Sequence, residues 1–554
     1  MRPVYVSILM AFGLLTLLSV PISRSHSQQI NSVGKVLPSD AAPPAEQTLT
    51  VMYPEPRSLD VSIFPYDDTG NLLPFEPLLW RDENLQPIAG AAEHYEASSD
   101  LKTWTFYLRP SARWSDGRLV TAHDFVYTYR RMLDPASTNA YAFFFYDIKN
   151  AEAISKGHIK DVNRLGVHAL DDLTFVIETD HPAPYLPHVV SFAAAAPPVP
   201  RWAVEKYGRK WTEAGHIVSN SGFKLAEWVT TSHMTFVADP FYNGPHKPYL
   251  EKIIHPFRDP AAINILPYEN DEVDIEGVDV TEIDRILSDP VLSLDLVRFP
   301  SQATWYFLFR TRQTPFNDIR VREAFARAID REALCQTILR GAAVPAYGML
   351  PPEFEAYNGK RHRIAQGFNP ERAARLMREA GYPRGRGFPS QNLWLRSPSP
   401  TIRRLAVAMQ GMLKEHLGID VTLQSSADEA SYMGKLYDWQ INLGFIPWRA
   451  DFQHPRNMLD TIWHSQPRGA QRQDWTNPAF DRLVEKVLGE LDPARRLQLY
   501  QQAEEVLTTD YGGVFVFHQI GLALRKPWIK GYLRNPDGTV GLQIDFTKIY
   551  ISRK

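Results

Sequence analysis

The stretch from Thr103 to Arg131, TWTFYLRPSARWSDGRLVTAHDFVYTYRR, leaves a fold little freedom, because it reads as a strand, a tight turn and a helix start with almost nothing between them. Thr103, Thr105 and Tyr107 alternate with Trp104, Phe106 and Leu108, the period of a half-buried strand. Ser115, Asp116 and Gly117 supply turn chemistry, Gly117 tolerating a positive φ. Thr121 is placed to cap a helix beginning at Ala122, its side-chain oxygen accepting from an amide two or three residues on. Asp124 in the first turn complements the helix dipole. The segment carries no catalytic set.

At 554 residues the chain exceeds one ordinary core, so two or three lobes are expected. Its 60 basic and 63 acidic side chains leave a formal charge of −3, which offers no general field for nucleic acid or an anionic membrane. With 43 prolines against 31 glycines, the connections are stiff and the lobes loop-rich. The 13 Trp and 24 Tyr suit a large adaptable pocket, and fill a big core equally well. The sequence lacks HExxH, GxSxG, GxxxxGK, GxGxxG and paired-cysteine zinc patterns, and its histidines are scattered singly. No enzyme activity, metal or cofactor is expected.

Arg2, an apolar run from Val4 to Val20, and small residues at Ser23, Ser25 and Ser27 read as a secretory signal peptide over residues 1–27. Left uncut, the same run would anchor a membrane sensor or chaperone. No cysteine follows it, so a lipid anchor is excluded, and the single Cys335 has no intramolecular partner. Residues 28–47 are polar, small and proline-containing, the composition of a flexible leader. Val321, Ala324, Phe325, Ala328 and Ile329 line one helix face. A second helix is capped by Asn369, has Pro370 in its first turn, turns Ala373, Leu376, Met377 and Ala380 inward, and stops at Gly381. Another pair spans Pro478 to Leu488 and Pro493 to Leu507, followed by an apolar strand from Val514 to Phe517.

The pattern LR…WSDG…TAHDFVY…R resembles the signature of extracytoplasmic solute-binding protein family 5, the oligopeptide-binding branch serving ABC importers. Seven more blocks follow the family order: Glu55 to Asp60, Phe75 to Leu79, Leu165 to Thr174, Val199 to Glu205, Pro315 to Arg322, Trp448 to Phe452 and Lys526 to Tyr532. The resemblance implies an α/β fold of the periplasmic binding protein type II kind, three-lobed, with two main lobes hinged around a ligand cleft. Lobe I would take residues 48–73, 198–303 and 518–554, lobe II the inserted residues 74–197, and lobe III residues 304–517. Two crossings between lobes I and III would form the hinge. The implied role is a monomeric periplasmic receptor that binds extended oligopeptides and hands them to a membrane permease and its ATPase, with no nucleic-acid partner.

A peptide presents a cationic amine, backbone donors and acceptors, and a carboxylate. A desolvated amine needs a counter-charge. In the family motif that role falls on the aspartate after Trp-x-Ala, here Asp451 in Trp448-Arg449-Ala450-Asp451-Phe452. Phe445 to Arg449 is the segment that would pair with the ligand backbone. Tyr141, Tyr306, His518 and Gln519 align with pocket-lining positions, where plain packing is an equal alternative; His518 also suits a satisfied core histidine. Basic positions that would hold the carboxylate align with Ile402, Leu436 and Phe445, and acidic ones near Pro65 and Leu308, so charge is lost at each. A disulfide of some relatives aligns with Ala303 and Arg449. Arg449 and Arg456 are placed to take over the carboxylate or to neutralise Asp451. The competing reading is a non-peptide or modified-peptide solute on the same scaffold.

Overall fold

The computed structural model describes residues 28–63, 73–82, 85–139, 141–192, 197–258, 264–396, 399–466, 472–531 and 545–554. The expected signal peptide and Pro65 lie outside them.

Thr103–Leu108 forms the expected strand, with Trp104, Phe106 and Leu108 buried and the alternate residues half-buried. It lies between Ala92–Ala97 and Thr174–Glu178, and Val167–Ala169 completes a four-stranded sheet. The helix Ala122–Leu133 packs on this sheet, Phe175 lying 6.3 Å from Phe106 and 5.7 Å from Phe125. Gly117 has the positive φ, 89°, that the turn requires. The helix start carries a reciprocal capping box: the Thr121 side-chain oxygen accepts from the Asp124 N–H, as expected, and the Asp124 side chain reaches back. Asp124 Oδ2 accepts from the Thr121 N–H at 2.8 Å, the Thr121 hydroxyl at 3.2 Å and Trp114 Nε1–H at 3.3 Å. A carboxylate is a strong acceptor near the positive helix end, so the Thr121 hydroxyl also donates to it. The core beneath this sheet extends past residue 197: it includes Val199, Ala203 and Trp211. Trp202 sits edge-on to Trp114 at 5.5 Å, and the Val199 N–H donates to Thr128 Oγ1 at 2.8 Å.

A second four-stranded sheet joins Phe223–Val229, His233–Ala238, Lys252–Pro256 and Thr48–Thr50, the last pair parallel. Residues 28–47, expected to be a flexible leader, pack beside it. Val33, Leu37 and Ala41 are buried, and Asn31 Nδ2 donates to the Pro248 carbonyl at 2.8 Å. The buried Gln47 amide donates to the carbonyls of Ala42 at 2.8 Å and Ile551 at 2.9 Å. Side-chain bonds to backbone fix this segment, so it needs no periodic apolar face.

A seven-stranded sheet builds the largest unit, around two long antiparallel strands, Leu296–Phe309 and Gly513–Arg525. Their register shifts between Pro300 and Thr304, where Gln302 has φ 48°. Before the shift, Val297 and Phe299 pack with the core of the second sheet; after it, Trp305 to Phe309 enter separate cores. The helix Ile319–Ala328 buries Val321, Ala324, Phe325 and Ala328 completely, with Ile329 beyond its end. Asn369 Oδ1 caps Pro370–Glu379 by accepting from the Arg372 N–H at 2.9 Å. Cys335 is buried, and burial pushes its thiol up to about 12. Among the described residues no helix is long and apolar enough to cross a membrane, and no three metal-ligating side chains converge.

Candidate functional site

The sheet built from residues 92–178 faces the seven-stranded unit across a cleft, and the two sides touch through a small set of side chains. Phe144 meets Phe452 at 5.6 Å, and His454 lies 5.8 Å from Tyr185 and 5.7 Å from His188. Arg456 Nη2 pairs with Asp147 Oδ2 at 2.5 Å and Arg456 Nη1 lies 3.5 Å from Asp460, with its guanidinium 4.2 Å from the Tyr185 ring. The Tyr185 hydroxyl donates to the same Asp147 carboxylate.

Asp451 follows the strand Leu443–Arg449 and is held by the fully buried Asn457. Asn457 Oδ1 accepts from Trp448 Nε1–H at 2.9 Å and from the Asp451 N–H at 3.3 Å, while Asn457 Nδ2 donates to Asp451 Oδ2 at 3.2 Å. Asp451 is half-buried, and Arg449 at the strand end is exposed. Burial pushes the Asp451 carboxyl up to about 6, against the Asn457 hydrogen bond and the guanidiniums of Arg472 and Arg81. Arg81 donates through Nε to the Ser191 carbonyl at 2.9 Å, and burial brings it down to about 10 with Asp451 opposing. Arg449 Nη1 donates to the Ser301 carbonyl at 3.0 Å; burial lowers its pKa, again with Asp451 opposing. Arg472 stacks 4.4 Å from the Trp448 ring. None of these three guanidiniums closes to ion-pair distance with Asp451.

Asp451 thus lies near the contact between the two sides with three guanidiniums acting on it, and comparison with known proteins gives the family. The family model described as bacterial extracellular solute-binding proteins, family 5 Middle, matches residues 86–470. The chain belongs to this family. It is 31% identical over 473 residues to the periplasmic oligopeptide-binding protein OppA of Salmonella typhimurium, covering 83% of this chain and 84% of that one. The solved Escherichia coli murein tripeptide binding protein MppA superposes with a TM-score of 0.77 at 27% identity, covering 92% of this chain and 98% of that one. Haemophilus influenzae OppA in complex with RPPGFSPFR gives 0.76 at 25% identity, with 92% and 99% covered.

Within this family fold, strand register decides which expected residues meet Asp451. Thr304 lies opposite Trp448, and Tyr306 opposite Ile446, so Thr304, Tyr306 and Trp448 share one face. His518 pairs with Thr304 on that face. The Thr304 hydroxyl donates to the Met349 carbonyl at 2.8 Å, so at 2.9 Å it accepts from His518 Nδ1–H, leaving Nε2 as a buried acceptor with no partner. Burial lowers His518 to about 3. Tyr141, on the opposite side of the cleft, packs 5.3 Å from Phe144 and 5.5 Å from Phe192.

Phe445 and Gln519 do not reach this group. Strand alternation turns both to the other face, where Phe445 stacks 5.2 Å from Trp305 and Gln519 Oε1 accepts from Trp305 Nε1–H at 3.1 Å. Ile402, Leu436 and Leu308 are buried core residues, so the expected loss of charge there is an apolar replacement. Ala303 and Arg449 are directly opposed partners. Arg456 is already neutralised by Asp147 and Asp460, which removes it as a carboxylate holder. Sequence reasoning missed Arg81, Asp147, Asn457 and Arg472; no local pattern marks the last.

Proposed function

We propose that this chain is a periplasmic receptor that closes lobes II and III on an extended oligopeptide and delivers it, unaltered, to an ABC permease and its ATPase. In this reading lobe I carries the Thr48–Thr50 sheet, lobe II the Thr103–Leu108 sheet, and the long strands cross between lobes I and III. One observation carries it: Asp451, beside the contact between the two sides, is desolvated, oriented by Asn457, and without an ion-pair partner among the described residues. Such a group is stabilised by an incoming cation, and a peptide's amine supplies one. Relatives named for oligopeptide binding support the same ligand class.

Calorimetric titration with peptides bearing free or acetylated amines tests this. Asp451→Asn and amine acetylation are each expected to weaken binding by about tenfold to a hundredfold. Equal affinity in all combinations would sink the amine role. Arg81, Arg449 and Arg472 around one carboxylate favour a second reading, a modified-peptide or non-peptide solute rich in negative charge. Native mass spectrometry of protein taken from its periplasm separates the two: a spread of amino-acid-built adducts supports peptides, one discrete other mass the alternative. An exported N-terminus between Arg24 and Gln28 would exclude the anchored sensor.

A further inference from the structure

Four buried polar groups gather around Tyr306 with no hydrogen-bond partner among the described residues. Tyr306 Oη, Tyr432 Oη, Trp463 Nε1 and Arg472 Nη1 are all buried without a hydrogen-bond partner. Arg472 itself is 5% exposed. The Trp463 and Tyr306 rings lie 5.3 Å apart, and the Arg472 guanidinium is 4.4 Å from the Trp448 ring. Gly444 stands under Tyr432; a Cβ there would come within 3.0 Å of the hydroxyl, so the glycine leaves the room it needs. Arg472 and Arg396 both act on the two tyrosine hydroxyls, pulling against the burial that raises them.

An indole N–H and a guanidinium N–H can only donate. Two obligate donors beside two hydroxyls free to donate are matched by a group that offers several acceptor positions together. A water molecule offers two, and leaves the Arg472 charge without a counter-ion. Among the described residues no carboxylate forms an ion pair with Arg472, and Asp451 acts on it only through space.

We propose that Arg472, Tyr306, Tyr432 and Trp463 form a carboxylate subsite for the solute in the interlobe cleft, a role that rests on that cleft being the binding site. It replaces the charges that Ile402, Leu436 and Phe445 do not provide. Because Arg472 lies within electrostatic reach of Asp451, the ligand presents an amine and a carboxylate close together. The carboxylate is either the C-terminus of a short peptide or an acidic side chain near the N-terminus of a longer one.

The test titrates full mature protein with di- and tripeptides as free acids and as amides, and with pentapeptide amides carrying Glu or Gln at the second residue. Wild type is expected to prefer the carboxylate member of one pair by about tenfold to a hundredfold. A preference for free acids names the terminus, and a preference for Glu names the side chain. Arg472→Met erases the preference, Tyr432→Phe reduces it, and Asp451→Asn keeps it while weakening all peptides. Equal binding of every pair by wild type overturns the subsite and leaves the peptide reading intact. If no peptide binds, the peptide reading falls, and crystals grown in sodium bromide decide the subsite. An anomalous peak within hydrogen-bond distance of Arg472 Nη1 and the two hydroxyls, lost in Arg472→Met, upholds it; no peak overturns it.

Discussion

On the proposed reading, Asp451 fixes the pH range in which a ligand amine can be held. Its carboxyl, raised to about 6 by burial, lies above the ordinary carboxylate value, so in the empty closed protein its contribution to stability is present near pH 4 and lost as pH rises through 6. A bound ammonium reverses the preference, because it favours the ionised form. Peptide affinity should therefore be flat above about pH 6 and fall below it, approaching tenfold per pH unit as proton and amine compete. Calorimetry from pH 4.5 to 8 should show that slope in wild type and not in Asp451→Asn; parallel profiles would remove Asp451 from the site. Asp451 was legible because it sits in a short motif of fixed spacing. Asn457, which orients it through two hydrogen bonds and ties it to Trp448 by a third, was not, since nothing in the sequence distinguishes it from a surface asparagine. Phe445 was misplaced for a simpler reason: a strand sends neighbours to opposite faces, and the alignment did not say which face held the ligand.

Helices and strands with one apolar face were readable wherever packing alone decided them, as in Val321 to Ile329 and Thr103 to Leu108. Leu296–Phe309 was not, because Pro300 and the φ of 48° at Gln302 break its alternation at the point where it passes between cores. Residues 28–47 escaped because hydrogen bonds from Asn31 and Gln47, rather than periodicity, hold them. The contact between the turn at Asp147 and the short helix Pro455–Met458 belongs to the same class, since it joins elements 309 residues apart. It is also a largely buried ion pair between the two sides. Asp147→Asn leaves Arg456 with Asp460 alone, and breaking a largely buried pair of this kind costs about 3 kcal/mol. That cost falls on the closed form, so small-angle scattering of the ligand-free variant should show a larger radius of gyration than wild type, and peptide affinity should drop. An unchanged radius with unchanged affinity would mean the pair does not hold the lobes.

Across the whole molecule, closure brings two histidines from different lobes into one buried contact, and this makes the closed form sensitive to acid. His188 is brought down to about 4 by burial and by Arg81; His454 is held well below its usual value by burial, His188, Arg456 and Arg496. The other groups facing them are Asp147, Asp460, Tyr185 and Tyr500, of which the two carboxylates are already paired with Arg456. His454 Nδ1 accepts from the Arg456 N–H at 3.3 Å, which a protonated ring could not do. Both histidines thus take up protons more readily in the open form, and closure is lost progressively as pH falls from about 6.5 towards 4. The empty Asp451 site opposes this over part of the same range, so the measurement belongs in an Asp451→Asn background. There, scattering of ligand-free protein should show opening as the pH is lowered. His188→Phe keeps a ring at its position, His454→Asn keeps the helix cap, and the double variant, without either titrating group, should stay closed to lower pH. If the two profiles coincide, the histidines are packing groups and the acid response lies elsewhere in the interface.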